Sequence, residues 1–166
     1  MKTITYFTLI FVLLLSFCKE KATDKENKEA GIEKKPDLIL ENAWIKETPM
    51  DQMNSAAFLN IENNSNNPIK LLSVESDISE TVELHETIYE NEVMKMQMVE
   101  NIVIPPKSVL ELKPGSLHVM FINIKRDLKE GENISLALNF ETIGKKSVMA
   151  KVKKHESMMQ HEHHNH

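Results

Sequence analysis

Cysteine occurs once in 166 residues, at Cys18, so a domain beyond that point forms no intramolecular disulfide and offers no thiolate to a metal or a substrate. Glycine occurs only four times, with no phosphate-cradling loop, and neither an H-E-x-x-H motif nor a Ser/His/Asp arrangement is present. An enzyme is therefore not expected. A basic excess is missing too: 20 Lys and Arg stand against 25 Asp and Glu, a formal charge of −5, which gives nucleic acid nothing to bind. Convincing helical periodicity with caps is absent throughout.

What is present begins with a short basic start, Lys2, followed by the apolar-biased stretch Ile4 to Phe17, which reads as an export signal. That stretch is shorter than the roughly 20 residues a membrane-spanning helix needs. Leu15-Ser16-Phe17-Cys18 resembles a bacterial lipobox, in which the cysteine is lipidated and becomes the mature N-terminus; Phe17 departs from the small residue usual before the cysteine. The expectation is a protein exported to the periplasm or cell envelope and tethered to a membrane through lipidated Cys18. Loss of residues 1–17 removes one lysine and moves the formal charge from −5 to −6.

Four regions follow: 1–18 as export signal, 19–37 as a charged flexible tether, 38–153 as one folded domain, and 154–166 as a disordered His/Met-rich tail. Between Leu38 and Val152, short runs of Val, Ile, Leu and Phe alternate with turn residues such as Asn63 to Pro68, Pro114-Gly115 and Glu130-Gly131. This rhythm predicts a single all-β domain, an antiparallel β-sandwich, with strands near 38–48, 55–63, 69–76, 81–89, 93–100, 108–113, 117–124, 133–142 and 146–153.

Chemistry concentrates in methionine and histidine. Met94, Met96 and Met98 alternate along one strand and so share a face. A methionine stripe alone is more often core filling. Leu117-His118-Val119-Met120 adds an imidazole and a thioether on one face, and His85 sits in Val82-Glu83-Leu84-His85-Glu86 on the face opposite Val82 and Leu84. Thioethers are soft neutral donors, so two Met with two His suit Cu(I) better than Mg, Ca or Zn. Glu86 and Glu90 are acidic residues near this constellation, a feature that either docks a basic partner or is plain surface solvation.

The order His85, ten residues, Met96, twenty-one residues, His118, one residue, Met120 matches the H-x10-M-x21-H-x-M signature of the PCuAC family of periplasmic copper chaperones. Further phrases resemble that family, among them Asn42-Ala43-Trp44, Ala56 to Asn63, Val93-Met94-Lys95-Met96 and Leu110 to Gly115, over roughly residues 38–152. Glu86 stands where the family often has methionine, and Ser116 where glycine is common. The resemblance implies a cupredoxin-like fold, Cu(I) held by His85, Met96, His118 and Met120, and delivery toward the Cu-A centre of cytochrome c oxidase. The implied partners are subunit II of that oxidase or a thioredoxin-like copper-assembly protein.

Auxiliary copper ligands are expected at Met94 and Met98 and in the tail at His155, Met158, Met159, His161, His163, His164 and His166, where imidazoles also suit Cu(II); the other reading of the tail is a polar solvated segment with incidental histidines. A blue-copper electron carrier is excluded from the domain because its ligand set needs a thiolate. Copper sequestration without delivery, and a non-metal envelope binding module, are the competing functions.

Overall fold

The computed structural model describes residues 36–49, 52–90 and 93–154, and within them the protein is all-β. Ten strands form in chain order: β1 (Leu38–Lys46), β2 (Asn54–Asn63), β3 (Ile69–Glu75), β4 (Ser79–Glu90), β5 (Val93–Met98), β6 (Ile102–Ile104), β7 (Ser108–Leu112), β8 (Leu117–Ile124), β9 (Asn133–Phe140) and β10 (Gly144–Lys153). The hydrogen-bonded order is β5-β4-β8-β2-β1-β10-β9-β3-β6, with β7 pairing a second length of β2. Only β1 and β10 run parallel; every other pair is antiparallel.

Strand alternation accounts for the core. In β9, Ile134, Leu136, Leu138 and Phe140 are buried while Asn133 and Ser135 are exposed, the period-2 pattern of a half-buried strand. One apolar cluster joins Leu84 of β4, Val119 and Phe121 of β8, and Ile45 of β1 to Leu71 and Val74 of β3 and Ile102 and Ile104 of β6. Because strands from both ends of the order share that cluster, the sheet folds over on itself as a sandwich. Each fully buried Leu or Ile in it contributes on the order of 2 kcal/mol.

Two features depart from the sequence reading. A tenth strand, β6, is only three residues long and ends against Pro105, too short to show a period. The expected straight strand over 38–48 also carries a bulge: register with β2 shifts between Glu41 and Trp44, and Asn42 takes a φ of 55°. Asparagine tolerates the left-handed region better than most residues. The extra residue inverts the alternation, so Leu38 and Leu40 face the core before it and Ile45 faces the core after it. Trp44 thereby turns to the outer face and packs on Phe58, with ring centroids 4.4 Å apart.

β4 and β5 form a hairpin in which Glu90 pairs with Val93, and all six residues of β5 are exposed. The hairpin reaches beyond the core as an edge of the sheet. Its cleft-side face carries Met94, Met96 and Met98.

Candidate metal centre

The outer face of β5, β4, β8 and β2 gathers the chemistry, and ladder register fixes who stands beside whom. Across β4 and β8, His85 is opposite His118 and Glu83 is opposite Met120. Across β4 and β5, His85 is opposite Met98 and Thr87 is opposite Met96. Across β8 and β2, Met120 is opposite Ala56. Since residues facing each other across a ladder share a sheet face, the four signature residues lie on one surface. Their backs are set by the core: Leu84 between Glu83 and His85, and Val119 between His118 and Met120, are buried on the other side.

A cleft of about 220 Å³ opens on this face, lined by Met96, His118 and Met120 together with Thr87, Phe58, Ala56, Lys46 and the Pro114-Gly115 turn. His85 is not among its lining residues; its ring stands behind, 5.8 Å from that of His118. Three of the four expected ligands thus surround one space, and the fourth abuts His118. A larger cleft of about 710 Å³ between the start of β1 and the start of β10 is lined by Leu38, Leu40, Ile143 and Lys146 among others, with no His or Met in its walls.

A local turn orients His118. The Pro114-Gly115 turn, with Gly115 at φ 75°, closes through a hydrogen bond from the Ser116 amide to the Lys113 carbonyl. That turn aims the Ser116 carbonyl back at the sheet, where it accepts from the Thr87 amide at 3.2 Å and from Nδ1–H of His118 at 2.9 Å. Donation through Nδ1 leaves the lone pair of His118 on Nε2. The residue is buried, 3% exposed, and its ring lies 6.3 Å from that of Phe58, so packing as well as hydrogen bonding holds it.

His85 is held the opposite way. Its Nε2 and Glu83 Oε2 are 2.7 Å apart, and its Nδ1 is buried with no hydrogen-bond partner. With Nε2–H donating to the carboxylate, the lone pair sits on Nδ1. A buried acceptor without a donor costs about 1–3 kcal/mol, and a cation relieves that cost. Carboxylate, imidazole and metal in line is a recurrent way to orient a ligating histidine. Thr87 Oγ1, on the same face, is likewise buried and unpartnered.

Alternation along β4 puts Glu83 on the face of His85, and the contact between them is what the sequence alone did not give. Alternation places Glu86 and Glu90 with Leu84 on the side of β4 opposite His85, and Glu90 binds Lys95 at 2.7 Å there, so neither acid shares the face of the histidine. The signal was the spacing of two between Glu83 and His85. The carboxyl groups clearly held below their ordinary range are Glu75, by its hydrogen bond from Lys145, and Glu132, by its hydrogen bond from Arg126, neither of them in the cleft.

Among the described residues no three His, Cys, Asp or Glu side chains converge, so the hard and borderline donor cages that suit zinc or calcium are not formed there. The two-His, two-Met set fits a soft monovalent ion. Cys18 and the tail residues His155, Met158, Met159, His161, His163, His164 and His166 lie outside the described residues.

Residues 38–152 match the sequence profile of the family described as "Putative lipoprotein LpqE-like". The chain belongs to the LpqE-like family. A relative from Leifsonia xyli subsp. xyli, Lxx21020, also named as a lipoprotein, is 30% identical over 102 residues. Those residues are 61% of this chain and 60% of that protein, so the chain spans less than two thirds of its relative.

Solved structures extend the likeness of this LpqE-like chain to PCuAC domains. The solution structure of DR1885 from Deinococcus radiodurans in its Cu(I) form is 29% identical, with a TM-score of 0.61 over 76% of this chain and 84% of that one. A copper-bound PCuAC domain from PmoF2 superposes with a TM-score of 0.62 over 72% of this chain and 94% of that domain; at 21% identity it speaks for the fold alone. The cupredoxin-like sandwich implied by the resemblance to the PCuAC family is therefore the fold this LpqE-like protein adopts.

Proposed function

We propose that this chain is a non-enzymatic copper carrier of the cell envelope, holding Cu(I) between His85, Met96, His118 and Met120. The observation that carries the reading is the pair of complementary histidines. His118, locked by the Ser116 carbonyl, keeps a free Nε2 beside Met96 and Met120, while His85, locked by Glu83, keeps a buried and unpartnered Nδ1. The likeness to a Cu(I)-bound domain at 29% identity supports the choice of ion.

Four neutral donors leave the bound ion with its charge of +1, and the adjacent Glu83 carboxylate offsets it. Without a thiolate the site yields copper to a partner that offers one. Methionine also spares the site the disulfide closure a dithiol would suffer in an oxidising compartment. In this reading the ion is cargo, delivered toward the Cu-A centre of cytochrome c oxidase through subunit II or a thioredoxin-like assembly protein, with the chain held at the membrane by lipidated Cys18.

Anaerobic competition with a chromophoric Cu(I) chelator tests the binding step. The expected result is one tightly held Cu(I) per chain, lost in His118→Ala. Equal binding by parent and variant would remove the site. Mixing the Cu(I)-loaded chain with copper-free subunit II then tests delivery: transfer of the ion supports a carrier, and retention supports sequestration.

A further inference from the structure

The stripe on β5 carries a thioether that the four-residue signature leaves out. Met98 stands directly across the β4 and β5 ladder from His85, whereas Met96 stands across from Thr87 and meets His85 only diagonally. Directly opposed side chains have Cβ atoms about 5 Å apart, and diagonal ones somewhat under about 7–8 Å, still within reach of a long side chain. One straight row therefore runs Met98, His85, His118 across three strands. Met98 is 63% exposed and Met96 is 61% exposed, so neither is committed to packing and both side chains are free to swing.

Two observations point the row at an ion. His85 Nδ1 is buried without a partner in the middle of the row, and His118 at its end has Nε2 free. A thioether on three rotatable bonds reaches across such a spacing.

We propose that Met98 is an additional Cu(I) donor, exchanging with Met96 at the open side of the site. The inference rests on the Cu(I) reading above and adds a ligand to it. The bound ion then has two interchangeable thioethers on the exposed hairpin and a fixed pair, His118 and Met120, on β8. An ion that trades one solvent-side donor for another never loses its coordination while an incoming ligand approaches.

Chelator competition on the full chain with Met→Leu changes, which keep volume and apolar character, tests the exchange. Alone, M98L lowers the Cu(I) affinity by about threefold and M96L by about tenfold, each lost contact compensated by the neighbour. The double change M96L/M98L lowers it by about a thousandfold, far more than the product of the two single effects. In M96L, one equivalent of Cu(I) shifts the Met98 methyl resonance. A double variant no weaker than M96L, or an M96L variant as weak as His118→Ala, would overturn the role of Met98 while leaving the copper site standing. A parent that binds no Cu(I) would overturn the copper reading and this inference with it.

Discussion

At the scale of single residues, the site is a matter of which nitrogen keeps its lone pair. Ser116 and Glu83 make opposite choices for His118 and His85, and neither partner is among the four proposed donors. Replacing Glu83 by Leu frees the His85 ring and lowers Cu(I) affinity by about 10–100-fold, while Glu83→Gln, whose amide oxygen still accepts from Nε2–H, loses much less. Titration with a Cu(I) chelator reads both, and equal losses in the two variants would show that the carboxylate acts by charge and not by orientation. The shared face of the four signature residues was legible because their spacing is a property of the chain itself. Strand alternation already puts Glu83 on the face of His85 and Glu86 on the other, but the 2.7 Å contact that gives Glu83 its part needs side-chain conformation, which spacing does not encode.

Elements place these residues. The Pro114-Gly115 turn sets the Ser116 carbonyl, and Gly115 at φ 75° has open space around it, so a substitution there is opposed by backbone strain and not by a clash. Gly115→Val is expected to cost about 1–2 kcal/mol in denaturant unfolding and to give His118 mixed ring tautomers, visible in nitrogen chemical shifts. An unchanged tautomer would mean that Phe58 packing alone fixes the ring. At the far end of β2, Asn63 is fully buried, and its Nδ2 donates to the Asn67, Ile104 and Pro105 carbonyls, tying β6 to the sheet. Asn63→Ala removes those bonds and is expected to lose about 1–3 kcal/mol of stability with no change in copper affinity. Nine of the strands were readable from alternation and turn residues. The bulge at Asn42 was not, because its effect appears only in pairing: it turns Trp44 outward onto Phe58, which in turn packs against His118.

For the whole molecule, the sandwich buries its apolar cluster on one side of β4, β8 and β2 and leaves the other side to the proposed ligands, so that the core and the candidate site draw on different residues. Lipidation, tail and recipient belong to segments and partners that strand alternation does not encode. Deleting residues 155–166 is expected to lower total copper bound while leaving the tight Cu(I) in place, as counted by metal analysis after chelator washing; unchanged total copper would remove the tail as a second store. The central claim is that one Cu(I) sits between two thioethers and two imidazoles on the outer face. Methyl-labelled methionine followed by NMR during anaerobic Cu(I) titration reads it residue by residue. The account predicts that the Met96 and Met120 methyl signals shift and saturate at one equivalent while Met149, exposed on β10, stays still; Met96 and Met120 signals that do not move at one equivalent would contradict it.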